Sequence, residues 1–240
     1  MDKNINTSIE TYKEGSYEKF KGYERTRFLF THILPRLEKA ESVLDIGCAK
    51  GELIYAMKER FPEKIYWGLD YSKALLELAD KQDFLKGVTF VQGSADAFDL
   101  NRQFDLTIMS GVLSIFDHIE RPLLQMLNHT KDGGHGFIFG GFTREDIDVI
   151  VRYRNNFLGS DVWESGWNMF SLLTLKKILD PHVKTCSVYP FDLPIRLEKS
   201  ENPVKSYTLD LKGGRRLIIT GGNIVRDFYL VVFQKEEKAL

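Results

Sequence analysis

The chain has 240 residues, 43% of them hydrophobic and 28% charged, with 33 basic and 34 acidic side chains giving a formal charge of −1. That length and composition fit an ordinary globular α/β protein with a sizeable core, and the balanced charge gives no general attraction for nucleic acid. No apolar run approaches the roughly 18 residues of a membrane span, the first 15 residues lack the apolar core of a signal peptide, and two cysteines without histidine-rich spacing argue against zinc or a disulfide; a cytoplasmic protein is expected.

Taken in chain order, residues 1–23 are polar with Tyr12, Tyr17 and Tyr23 interspersed, and are expected to be a mobile segment that orders over a ligand. Residues 24–40 carry a helical pattern (Phe28, Leu29, Ile33, Leu37) that Pro35 is expected to interrupt or kink. Residues 43–46 read as a buried strand, 47–51 as a tight loop and 52–60 as a helix. Gly47 and Gly51 allow a close backbone approach where a Cβ would clash. The run Gly47-Cys48-Ala49-Lys50-Gly51 has neither the dinucleotide spacing nor a P-loop ending. Asp45, just before it, would repel a pyrophosphate but suits a ligand bearing an ammonium group, a description that fits S-adenosylmethionine.

A second strand, 65–69, ends in Asp70-Tyr71-Ser72. An acid there is placed to accept ribose hydroxyls, and Ser72 is placed to cap a helix over 73–81. The third strand, 88–92, runs into Gly93-Ser94-Ala95-Asp96-Ala97-Phe98, and the fourth, 104–109, exits through Ser110-Gly111-Val112-Leu113-Ser114. A helix carries Leu123, Leu124 and Leu127, and Gly133-Gly134 leads into a fifth strand over 135–140. Helices are expected over 143–158 and 172–179, the latter stopped by Asp180-Pro181, and strands over 183–189 and 228–233. In the long connection between those strands, 206–211 and 215–220 flank Lys212-Gly213-Gly214 and predict a β-hairpin. No repeat, low-complexity tract or interdomain linker breaks the chain.

Asp45, Gly47 and Gly51 resemble the first motif of class I S-adenosylmethionine-dependent methyltransferases, D/E-x-G-x-G-x-G, with Ala49 where the central glycine is commoner. The Phe104-Asp105 pair and the later strand exits match the same family in order, and the resemblance covers about residues 41–142. It implies a Rossmann-like, doubly wound seven-stranded sheet, mostly parallel with an antiparallel last strand, to which the N-terminal helical segment and the hairpin are added. As one domain it divides into 1–40 as helical segment or lid, 41–142 as cofactor-binding core and 143–240 as acceptor-side elaborations. It also implies S-adenosylmethionine as cofactor, with Asp45, Gly47, Cys48, Ala49 and Gly51 around its methionine part. Asp70 and Tyr71 would lie at the ribose, Ser94, Ala95, Asp96 and Ala97 at the adenine (with Phe98 a further wall), and Ser110 and Gly111 at the fourth strand exit. No metal is implied.

Ligands of an open parallel sheet bind outside the carboxyl ends of its strands. His135 and His182 stand at strand entries and His32 and His129 on helices, which leaves His118, eight residues past Ser110, as the candidate base, with Asp117 as the carboxylate alternative. The sulfonium already supplies an activated leaving group, so a base is needed mainly for a hydroxyl acceptor. Trp163, Trp167 and Asn168, in a run too polar for a core, and Tyr17 and Tyr23 are the expected acceptor contacts. The acceptor is expected to be a small molecule such as a sugar or other biosynthetic intermediate. An Asn/Asp-Pro-Pro-Tyr/Phe tetrapeptide is missing after strand four, where Ser110-Gly111-Val112-Leu113 stands, and this argues against nucleic-acid amino groups. Two rivals stay open: another S-adenosylmethionine-using transferase on the same fold, and a non-catalytic cofactor-binding partner subunit. The hairpin would cover the acceptor site or make a dimer contact.

Overall fold

The computed structural model describes residues 16–201, 205–214 and 216–237. Tyr12 and the first part of the expected lid therefore lie outside the described residues, as does Arg215 of the hairpin. The chain opens with two helices, α1 (Tyr17–Gly22) and α2 (Glu24–Leu37). Five strands follow, each of the first four leading back to the sheet through helix or turn: β1 (Ser42–Ile46), α3 (Glu52–Lys58), β2 (Ile65–Asp70), α4 (Lys73–Asp80), β3 (Thr89–Gln92), β4 (Phe104–Ser110), α5 (Glu120–His129) and β5 (Thr130–Thr143). Three two-residue strands, β6 (Arg152–Tyr153), β7 (Glu164–Ser165) and β8 (Phe170–Ser171), precede α6 (Leu172–Leu179) and β9 (Val183–Phe191). Last come β10 (Tyr207–Asp210), β11 (Arg216–Ile219), β12 (Val225–Arg226) and β13 (Phe228–Lys235).

The main sheet has the order β3-β2-β1-β4-β5-β13-β9, with β8 joined to the end of β5. β1 to β5 are mutually parallel, and β13 runs antiparallel to both β5 and β9. The expected seven-stranded, doubly wound architecture with its antiparallel last strand is what the chain adopts. β1 is buried at every residue because helices cover both of its faces. Val43 joins the core beneath α2 and α3, while Leu44 and Ile46 join the core beneath α5 and α6. Period-two alternation thus splits one strand between two hydrophobic layers.

The local signals explain most boundaries. Ser72 and Ser171 accept the amides of Leu75 and Thr174 and so cap α4 and α6, each cap worth about 1 kcal/mol. Asp180-Pro181 ends α6 in a short 3-10 turn. Asp105 fastens the sheet's entry side: Oδ2 accepts the amides of Glu41 (3.1 Å) and Ser42 (2.9 Å) and the Ser42 hydroxyl (2.7 Å), while Oδ1 accepts Lys131 Nζ (2.7 Å). The Gly133-Gly134 turn lies within β5, at the register shift between Phe104 and Leu106 of its partner.

Two expectations are corrected. Pro35 does not break α2, because it falls in the last turn and the helix ends two residues later anyway. Residues 143–158 form no α-helix. Thr143 Oγ1 donates to the carbonyls of Glu145 and Ile147 (both 2.8 Å), Val149 exchanges backbone bonds with Met169, and Asn168 Oδ1 takes the Val151 amide (2.8 Å). Those bonds replace a helical ladder with tertiary partners. The apolar pattern that mimicked a helix faces outward, with Ile147 63% exposed.

The hairpin forms as expected, β10 and β11 pairing from Tyr207↔Ile219 to Asp210↔Arg216, and β12 extends it to three strands. It stands beside the carboxyl edge of β5: Arg226 packs on Gly141, and a Cβ built on Gly222 would lie 3.5 Å from the Trp167 ring.

Candidate functional site

The loop after β1 is held in a left-handed shape by its own glycines and by the end of β2. Gly47, Ala49 and Gly51 have φ of 76°, 51° and 79°. Gly47 has no alternative, since a Cβ there would sit 2.3 Å from Val112 Cγ2 of the β4 exit. Ala49 occupies the position where the family prefers glycine, and the left-handed region costs an L-residue roughly 1–2 kcal/mol. The loop keeps its shape because Asp70 Oδ2 accepts the Ala49 amide at 2.8 Å and the amides of Gly47 and Cys48 bond the Leu69 carbonyl at 2.7 and 3.0 Å. Cys48 is buried, its sulfur lying against Gly68, where a Cβ would come within 2.7 Å.

Asp45 is 3% exposed directly beneath this loop. Burial, and then the charge of Asp70, pushes its carboxyl up to about 7, with Arg25 of α2 pulling the other way. A buried acid so poorly solvated is a receptor for a cation. Asp70 ends β2: Oδ1 accepts the amide of Ser72, the N-cap of α4 (2.8 Å), and Oδ2 steadies the β1 loop. Burial raises the Asp70 carboxyl as well, against those two amides. Tyr71 beside it is exposed.

At the β3 exit, the Ser94 hydroxyl donates to Asp96 Oδ1, Ala97 N bonds Ser94 O at 2.9 Å, and Ala95 is buried. At the β4 exit, Gly111 turns with φ of 79° and its amide bonds Phe139 O at 2.7 Å, which ties Ser110-Gly111 to β5. All four strand exits therefore open on the same carboxyl edge of the sheet.

α1 covers one end of that edge. The Tyr17 hydroxyl donates to the Lys50 carbonyl at 2.7 Å, and its ring lies 5.0 Å from Tyr55 and 5.5 Å from Lys50 Nζ. The Tyr55 hydroxyl in turn reaches Glu18 (2.6 Å), and Lys21 pairs with Glu59 (2.7 Å). Tyr17 thus lies on the loop, whereas Tyr23, the residue just before α2, is half exposed against Phe20.

The residues expected on the acceptor side fall into two groups. Asn168 is fully buried: its amide nitrogen donates to Phe116 O (2.6 Å) and Ser165 Oγ (3.1 Å), its oxygen accepts Val151 N, and its own backbone amide bonds Ser114 O (3.0 Å). Its expected contact role thus becomes one of clamping residues 151–168 to the β4 exit. Part of the run around it is interior, with Glu164 and Gly166 buried while Trp163 stays exposed. Trp167, held by that clamp at φ 59°, stacks on Tyr153 at 4.5 Å, and Trp163 is 64% exposed beside Arg154.

Asp117 is bound at both oxygens, by Arg152 Nη2 (2.6 Å) and Ser165 Oγ (3.1 Å). Its desolvation is outweighed by those two partners, so its carboxyl sits below the ordinary range and is a poor proton acceptor. His118 is exposed on the same loop. His129, by contrast, is structural, taking the Leu100 amide at 3.1 Å and stacking on Phe98. Arg25 carries no local signal of its role, because its position near Asp45 and Glu52 depends on how α2 docks. Among the described residues, no three His, Cys, Asp or Glu groups gather as a metal site, and no helix is long and apolar enough to cross a membrane.

Residues 37–152 match the family described as a methyltransferase domain. The malonyl-[acyl-carrier protein] O-methyltransferase of Priestia megaterium is 26% identical over 163 residues, covering 67% of this chain and 59% of the relative. The trans-aconitate 2-methyltransferase of Deinococcus radiodurans is 33% identical over 102 residues, 42% of this chain and 38% of the relative. The chain thus spans less than two thirds of the length of these relatives. Among solved structures, an N-methyltransferase from Bradyrhizobium japonicum in complex with S-adenosyl-L-homocysteine superposes with a TM-score of 0.60 at 15% identity, covering 98% of this chain and all of that one. An amino pentose methyltransferase from Micromonospora echinaspora, bound to S-adenosylmethionine, gives 0.56 at 15% identity with 98% of both chains covered. Those two likenesses show the shared fold.

Proposed function

We propose that this chain, whose core is a class I S-adenosylmethionine-dependent methyltransferase domain, moves the methyl group of S-adenosylmethionine to a small-molecule acceptor by in-line displacement. The observation that carries the reading is Asp45: a buried carboxylate beneath a left-handed glycine loop that Asp70 holds open. The ammonium group of the cofactor's methionine part supplies the charge that Asp45 lacks. Asp70 keeps lone pairs for the ribose hydroxyls after accepting its two amides, and Asp96, steadied by Ser94, faces the adenine amino group with Ala95 and Ala97 at the ring. The sulfonium makes the methyl carbon electrophilic, so the protein's task is to orient acceptor and cofactor and exclude water.

Residues 143–237 make the acceptor side in this reading, with the three-stranded hairpin sheet as part of its wall. A hydroxyl acceptor would have to give its proton to His118, since Asp117 is committed to Arg152. Retention of Asp45, Asp70 and Asp96 together supports a working enzyme over a non-catalytic partner subunit. Calorimetry with the full chain tests the reading: S-adenosylmethionine and S-adenosylhomocysteine bind, while NAD and ATP do not. Tight NAD binding with neither sulfur nucleoside bound would overturn it.

A further inference from the structure

We propose that Arg25 holds the carboxylate of the cofactor's methionine part, and so selects S-adenosylmethionine over its decarboxylated form. This rests on the methyltransferase reading above and completes the same site. Asp45 meets only half of an amino acid. A zwitterion carries its carboxylate on the carbon that bears its ammonium, so a receptor for the whole group needs a cation close beside its anion.

The topology brings Arg25 to that place. Only four residues, 38–41, separate α2 from β1, so the helix descends toward the entry edge of the sheet and the strand returns toward its carboxyl edge. Leu29, Ile33 and Leu37 of α2 join Val43 of β1 in one core layer, and Asp45, two residues on from Val43, points to the same side. Arg25 precedes Leu29 by one turn on the same helix stripe, and therefore stands over that face nearer the carboxyl edge. Phe28 fixes the level. Its ring lies 6.4 Å from Phe139 and 5.1 Å from Phe191, and Phe139 pairs with Ser110 at the β4 exit. α1 arrives from the loop side: Tyr17 is bonded to the Lys50 carbonyl, Phe20 is buried one turn later, and the Arg25 guanidinium lies 5.5 Å from its ring. Arg25 thus joins the loop-bound helix to the face that carries Asp45.

Its donors are not taken up inside the protein. Among the described residues the half-buried guanidinium makes no hydrogen bond and no ion pair, only the contact with Phe20. It is still near enough to Asp45 and Glu52 to draw both carboxyls down against the burial that raises them. Glu52 has a closer cation in Lys50, whose Nζ lies 3.5 Å away. A direct Arg25–Asp45 pair would cancel both charges and close the site. Opposite charges that feel each other without touching leave room for a group carrying the complementary two, and an amino-acid head is that group. The planar guanidinium supplies parallel N–H donors that match both oxygens of a carboxylate, and resting on an aromatic ring takes up none of them.

The assignment bears on reaction type. A transferase that moves an aminopropyl group uses the decarboxylated cofactor, which would bury Arg25 with no anion to meet it. The methyl donor keeps its carboxylate. Arg25 therefore favours methyl transfer over that rival chemistry.

Calorimetry on the full chain with two ligands tests this: S-adenosylhomocysteine, and the same molecule with hydrogen in place of its carboxylate. The wild type is expected to bind S-adenosylhomocysteine on the order of 10- to 100-fold more tightly than the decarboxylated ligand. Arg25→Gln is expected to lose that preference by weakening S-adenosylhomocysteine alone, with Arg25→Lys intermediate and Asp45→Asn weakening both ligands. Equal wild-type affinity for the two, or a folded Arg25→Gln protein that keeps the wild-type preference, would overturn the proposal. So would an equal loss for both ligands, the mark of a counter-charge that only supports the fold. The wild-type comparison does not depend on any variant folding. Failure of the wild type to bind S-adenosylhomocysteine at all would overturn the methyltransferase reading, and this assignment with it.

Discussion

Asp45→Asn separates the carboxylate's role in binding from its cost to the fold. The Asp45 carboxyl is pushed from its ordinary 3.8 up to about 7 by burial and by Asp70. A folded-state pKa above the unfolded value means that the unfolded chain gives up its proton first as pH rises. Stability is therefore lost between about pH 4 and pH 7 and stays lost above that. The interval corresponds to roughly 4 kcal/mol at pH 8, as an order of magnitude. Asparagine fills nearly the same volume without the charge. It is expected to recover about 2–4 kcal/mol in the ligand-free protein at pH 8, a rise in Tm of about 5–15 °C for a chain of this size. At pH 4.5, where Asp45 is protonated when folded and only the unfolded chain is ionised, the gain should fall to about 1 kcal/mol. The same variant should bind S-adenosylmethionine at least tenfold more weakly, because the buried acid proposed to partner the ammonium is gone. Melting curves at the two pH values, with and without S-adenosylhomocysteine, measure all of this. An equal gain at both pH values, or full ligand stabilisation of the variant, would refute the reasoning.

Three further outcomes are expected. Asp70→Ala removes the acceptor of the Ala49 and Ser72 amides and the proposed acceptor of the ribose, and should cost about 1.5–3 kcal/mol of cofactor affinity by calorimetry in a protein that still folds; unchanged affinity would take Asp70 out of the site. Ala49→Gly relieves a side chain at φ 51° and should stabilise the protein by up to about 1 kcal/mol on denaturant unfolding, with cofactor affinity kept. Asp105→Ala strips its partners on β1 and Lys131 and should destabilise by about 2–4 kcal/mol while leaving cofactor affinity unaltered, a separation that equilibrium unfolding and calorimetry together can check.

The β1–β5 half of the fold was legible in the sequence because its signals are local. An apolar strand followed by glycines or an acid marks each exit, and four such exits in order leave few topologies. Asp105 illustrates a pattern recognised by resemblance whose reason lies in the fold: it staples the start of β1 to β4. Beyond β5 the signals become tertiary. Ile147, Ile150 and Val151 imitate a helix, yet their segment is pinned by Met169, Asn168 and Ser171 from farther along the chain. Asn168 reads as a surface polar residue until its partners, Phe116 and Val151, are brought to it by folding. Arg226 is one more basic residue in a loop until β12 lays it on Gly141.

The central claim is that the β1 loop, Asp45, Asp70 and the β3 exit form one cofactor site. A crystal structure of the full chain with S-adenosylhomocysteine tests it most directly. The expected density places the amino-acid end over Gly47 and Asp45, the ribose hydroxyls on Asp70 and the adenine between Ala95 and Asp96. Density elsewhere on the molecule, or adenosine lying across the loop with Asp70 untouched, would contradict it.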